Sequence, residues 1–105
     1  MSNDIDQRIF YWIRATGIEQ ASLDPDKGKR YAKLLRTVHR SLYHLRHITE
    51  SPRMRRKHWM LIHEAMGMLV LQSAIDGLLK NDSEALRIQE TIYTLADKEL
   101  QPINL

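Results

Sequence analysis

Apolar residues recur along this chain at intervals of three and four, and no long stretch alternates with period two. That spacing belongs to amphipathic helices rather than strands. The first predicted helix runs from about Asp4 to Thr16, with Ile5, Ile9, Trp12 and Ile13 on one face and Asp4 and Gln7 spaced as a capping box. Gly17 suits a left-handed stop, with Ile18 folding back on Ile13. A second helix opens at Asp24-Pro25 and carries the stripe Tyr31, Leu34, Leu35, Val38, Leu42 and Leu45 to about Ile48 or Thr49. A third opens by the same device at Ser51-Pro52 and is expected to reach Lys80. It is apolar almost all round from Ala65 to Leu79, as a helix buried on several sides would be. Gly67 and Gly77 would let neighbouring helices approach it closely. Asn81 ends that helix. Asp82 or Ser83 then caps a fourth helix, whose buried face is Ala85, Ile88, Ile92, Leu95 and Ala96 and which Pro102 ends.

Short connections favour antiparallel neighbours. The expected fold is a single all-α domain over residues 1–105, a four-helix antiparallel bundle-like arrangement that dimerises through the long third helix. A chain of 105 residues suits one domain and has little room for a large internal ligand cavity. Met66, Met68, Leu69, Leu71, Ile75 and Leu78 are the expected dimer interface, because the third helix holds more apolar surface than one small subunit needs.

Charge changes the picture next. Residues 27–58 hold eleven Lys and Arg against one acid, Glu50, while the flanking segments are acidic. Lys29, Lys33, Arg36 and Arg40 fall on the back of the second helix, and Arg53, Arg55, Arg56 and Lys57 crowd the start of the third. A helix N-terminus carries partial positive charge and prefers acids, so these cations need acids opposite them, either in the same fold or on an anionic partner. All eight are expected to bind such a partner. The segment "RMRRKHW" places an aromatic beside cations, a combination that suits single-stranded nucleic acid. A small DNA- or RNA-binding regulator using the second helix and the 53–58 cluster is therefore the alternative reading.

Candidate chemistry is sparse. No Cys occurs, and neither HExxH, GxSxG, a P-loop nor GxGxxG is present. Of the five His, only His44 and His47 have the spacing to share a ligand on one helical face, so neither a metal nor a cofactor is expected. "IDQRI" resembles the opening helix of the small dimeric chorismate mutases, but the polar active-site residues of that family do not follow at the spacings it requires. The chain is expected not to be an enzyme. The opening residues are polar with two acids, and the longest uncharged run, "AMGMLVLQSAI", is too short to span a bilayer. A cytoplasmic protein with no membrane association is expected.

Protein binding accounts for more features together. Phe10, Tyr11 and Trp12 sit about 100° apart around a helix, so one face does not hold all three. Aromatics and methionines suit interaction surfaces, and Phe10, Tyr11, Trp12, Met54 and Met60 are the expected partner-binding residues. The helix pattern, the "IFYWI" segment and the apolar "MGMLVLQSAIDGLL" resemble the small all-helical bacterial antiactivators of LuxR-type quorum-sensing regulators. The resemblance implies a protein that occludes a transcriptional regulator's dimerisation or DNA-binding surface.

Overall fold

A computed structural model describes residues 4–48, 51–79 and 82–100. The described residues form five helices and no strand: α1 (Asp4–Ala15), α2 (Ile18–Ala21), α3 (Gly28–His47), α4 (Pro52–Ile75) and α5 (Ser83–Glu99). The long axis measures 52 Å, against 25 and 22 Å across. α4 is the central element. It packs along α3 on one flank and α5 on the other, while α1 lies against α5 and the single turn of α2 connects it to α3.

Local chemistry sets most of the boundaries. Asp4 and Asp6 lie in the first turn of α1, where they offset the positive helix pole. Asp4 is already helical, so it does not take the cap position expected of it. Gly17, at φ 81°, ends the helix as expected. The chain then makes one unexpected turn, α2, which drives Ile18 fully into the core. The second expected helix does not open at Asp24-Pro25: Lys27 holds the cap position of α3, and Asp24 instead closes a tight turn ahead of the helix. Its carboxylate accepts from the amides of Asp26 (2.8 Å) and Lys27 (3.0 Å), and α3 proper begins only at Gly28.

α4 opens as its sequence implies. Pro52 takes the first helical position, and the Ser51 side chain accepts from the Met54 amide at 3.3 Å. Its end differs from expectation. Gly77 adopts φ 74°, the Leu78 amide bonds the Ser73 carbonyl (2.8 Å), and the Gly77 amide bonds that of Ala74 (3.1 Å). These two bonds make a Schellman cap, which stops the helix at Ile75 rather than Lys80. Gly77 is thus a stop, whereas Gly67 does sit at a close approach: a Cβ there would lie 3.3 Å from Gln89 Nε2 of α5.

The core joins Ile5, Ile9, Trp12 and Ile13 of α1 to Tyr31, Val38, Leu42 and Leu45 of α3. Trp59, Ile62, Met66 and Leu69 of α4 and Ala85, Ile88, Ile92 and Ala96 of α5 complete it. The sets step by three, four or seven residues, with Ile13 directly after Trp12, so each helix buries one stripe. Burial at about 25 cal/mol per Å² of apolar surface makes this core the dominant stabilising term. The second half of α4 is not enclosed on several sides. One stripe is buried, and the opposite one stands in solvent.

Candidate interaction surfaces

The cations at the start of α4 divide into two groups. Arg55 points inward. Its Nε donates to both oxygens of Glu99 (3.0 and 3.2 Å), and its Nη1 donates to the Leu45 carbonyl (3.0 Å) in the last turn of α3. Trp59 Nε1 donates to the same Glu99 carboxylate at 3.1 Å. Arg46 lies over the Trp59 ring, 5.6 Å from its centroid, and its Nε donates to Asp6 Oδ2 at 3.0 Å. This network ties α1, α3, α4 and α5 together. Arg55 is therefore a structural residue, which corrects its assignment as a contact for an anionic partner.

The other seven cations singled out in the sequence remain available. Lys29, Lys33, Arg36 and Arg40 form an exposed ridge along α3, about 16 Å long at 1.5 Å per residue. Arg53, Arg56 and Lys57 line a shallow groove with Met60, Leu61, Glu64 and Leu100. None of the seven forms an ion pair among the described residues. Three acids of α1 and α5 are directed elsewhere: Asp6 to Arg46, Glu84 to Arg8 (2.9 Å) and Glu99 to Arg55.

The aromatic triplet splits three ways. Trp12 is buried in the core at 4% exposure, so it is no partner-binding residue. Phe10 is half-buried and stacks on His39 of α3, with centroids 4.7 Å apart. Tyr11 stands 74% exposed. Phe10 and His39, with Ile13, Leu23 and Leu35, line an open groove of about 640 Å³ between α1 and α3, and Arg14, Glu19 and Gln20 edge it. Leu23 is 73% exposed there, a position the sequence reading missed because Leu23 lies in a turn outside any helical period.

A second apolar surface lies on the outer side of α4. Met66 and Leu69 are fully buried within the subunit, which removes them from any dimer interface. Met68 (54%), Leu71 (58%) and Ile75 (69%) are exposed, while Leu78 and Met60 are half-buried against the core. Met54 is exposed at the far end. α5 adds exposed Leu86 and Tyr93 beside this stripe. Both lie off the 85-88-92-96 period, and that departure was the available signal for them.

His44 and His47 do not converge. His44 stacks on buried His58 (centroids 4.6 Å apart), whereas His47 lies against Tyr43 (4.8 Å). Among the described residues no three His, Asp or Glu are grouped to hold a metal ion. Nor is any helix there long and apolar enough to cross a membrane.

Three carboxylates are held below their ordinary range. Asp76 accepts from the buried Tyr31 hydroxyl and then from Gln72, Asp24 accepts two backbone amides, and Glu84 accepts from Arg8. Burial and then Asp76 push the Tyr31 phenol up. A depressed carboxylate supplies stability that is complete above its unfolded pKa, about 4, and is lost as pH falls through the folded value. Asp76→Asn should therefore melt below the parent at about pH 6, with the gap closing as pH falls toward about 2. Thermal melts followed by circular dichroism measure it, and a gap that widens in acid contradicts the assignment.

In comparison with known proteins, the chain matches no family model, no curated protein and no solved structure.

Proposed function

We propose that the chain is a non-enzymatic regulatory protein that acts by binding another protein, a transcriptional regulator of the LuxR type, and that it works as a homodimer held through α4. The observation that carries this reading is the groove between α1 and α3. Its apolar lining of Phe10, Ile13, Leu23 and Leu35 runs beside a basic ridge with no acids of its own. Such a groove accepts the apolar face of a helix, and the ridge steers a partner of opposite charge.

One observation favours a second reading, binding of DNA or RNA. Lys29, Lys33, Arg36 and Arg40 follow at four, three and four residues, aligned and unpaired among the described residues, as cations that track phosphates are. The two readings separate in one experiment. The full chain is immobilised and presented with bacterial lysate, with and without nuclease, and then with a purified LuxR-type receptor. Protein binding predicts nuclease-resistant capture of the receptor, lost in Leu23→Asp, a substitution that leaves the exposed turn folded. Nucleic-acid binding predicts nuclease-sensitive capture that survives Leu23→Asp. Its affinity should fall with salt at a log–log slope of about −3 to −4, removed largely by Arg36→Glu with Arg40→Glu.

A further inference from the structure

The outer stripe of α4 is built to a specific period. Leu61, Glu64, Met68, Leu71 and Ile75 follow at three, four, three and four residues, all half-exposed or exposed, opposite the buried row His58, Ile62, Ala65, Leu69 and Ser73. A seven-residue repeat of this kind keeps one seam of a helix facing a second helix along its length. Nothing among the described residues fills that role. α3 and α5 occupy the flanks of α4 and α1 lies against α5, leaving Met68, Leu71 and Ile75 each more than half exposed.

α5 widens the face. It passes close enough to α4 for Gln89 to abut Gly67, and Tyr93 meets His63 edge-on with centroids 5.9 Å apart. Leu86 and Tyr93, both about half exposed, therefore stand beside the stripe. Two copies of such a face, with Leu61 and the polar rim, bury on the order of 1,000 Å², where interfaces become specific.

Charge decides the direction of a second copy. The first turns of α4 carry Arg53, Arg56 and Lys57, none ion-paired among the described residues. The far end carries the negative helix pole, with Asp76 and Asp82 just beyond. An antiparallel second copy, in the register set by Met68 and Leu71, keeps the two basic starts about 38 Å or more apart along the axis at 1.5 Å per residue. A parallel copy would bring six cations together. The face thus meets a second copy of itself only under a two-fold axis, the arrangement of an isologous dimer.

We propose that α4 pairs antiparallel with α4 of a second copy, Met68 of one facing Leu71 of the other, with Leu86 and Tyr93 closing one side of the seam. This deepens the homodimer named under Proposed function and rests on that part of it.

The absence of cysteine makes the geometry testable with single introduced thiols. Near the axis, Met68→Cys and Leu71→Cys should each cross-link to a second copy on mild oxidation, and a mixture of the two should cross-link best. Leu61→Cys should not, because the antiparallel register places the two Leu61 positions about 25 Å apart along the axis at 1.5 Å per residue, beyond disulfide reach. Sedimentation of the parent at micromolar concentration should show a dimer, and far-ultraviolet circular dichroism should show every variant as helical as the parent. If Leu61→Cys cross-links as readily as Met68→Cys, the antiparallel pairing is wrong while the dimer stands. A dimer in which no seam thiol cross-links places the contact on another face and overturns the proposal. A monomeric parent overturns the seam and the homodimer together, including the case where a different protein covers this face. Capture of a receptor through the α1–α3 groove is read separately and does not depend on either result.

Discussion

Leu69→Asp should unfold this protein, whereas Leu71→Asp, two positions along the same helix, should leave each subunit folded and convert the proposed dimer to monomer. Leu69 is fully buried, so the substitution removes about 2–5 kcal/mol of packing and adds the cost of a carboxylate in an apolar site. A domain of this size holds about 5–15 kcal/mol in total. Leu71 is 58% exposed on the opposite side, and the same change there alters subunit stability by about 0.5 kcal/mol. In the paired state it sets two carboxylates at the seam without acceptable partners. Circular dichroism should show random coil for the first variant and native helix content for the second. Sedimentation should show the second at half the parent's mass. If Leu69→Asp stays folded, the packing of α4 is misassigned. If Leu71→Asp stays dimeric, the seam is.

The second large effect concerns two glycines that respond in opposite directions to the same change. In a solvated helix, Gly→Ala stabilises by about 0.8–1 kcal/mol. Gly28→Ala should instead destabilise by about 3 kcal/mol, because the added methyl would collide with backbone. Its Cβ would overlap the Ser22 carbonyl oxygen, lie 2.8 Å from the Ser22 carbonyl carbon and reach 3.3 Å from the Ala21 oxygen. Those atoms belong to the end of α2 and the turn after it, and they cannot yield without moving Ile18 out of the core. Gly67→Ala meets only the end of the Gln89 side chain at 3.3 Å, which rotates away, so it should be neutral or stabilise by up to about 1 kcal/mol. Urea unfolding of the pair checks the signs, and a stabilised Gly28→Ala would show that the α2–α3 junction is looser than described.

Much of the architecture was legible because it depends on neighbours in sequence. Ser51-Pro52 starts α4 since the hydroxyl, the proline φ and the Met54 amide all belong to one turn. Gly17 stops α1 for an equally local reason. The α5 face Ala85, Ile88, Ile92 and Ala96 follows from a single clear period. The end of α4 was misplaced although the residue was noticed. Glycine suits both a close helix crossing and a left-handed cap, and only the backbone around Gly77 distinguishes them. α2 was missed because one turn of four residues carries no periodicity.

The candidate surfaces were legible as composition and not as faces. The surplus of apolar residues in the second half of α4 was evident, but which of Met66, Met68, Leu69 and Leu71 would be covered was not. A helix apolar on all sides has no period to mark its inward direction, and the positions of α3 and α5 chose it. Among the cations the same limit applies. Arg55 and Arg56 are adjacent and chemically identical, yet Arg55 meets Glu99, 44 residues away, while Arg56 lines a groove. By itself the sequence determined helix content, most helix starts and the total of apolar and basic surface, since these come from interactions within a few residues. The tertiary structure decided which side chains are enclosed, which charges are matched and which remain outward, because those depend on contacts between segments far apart along the chain.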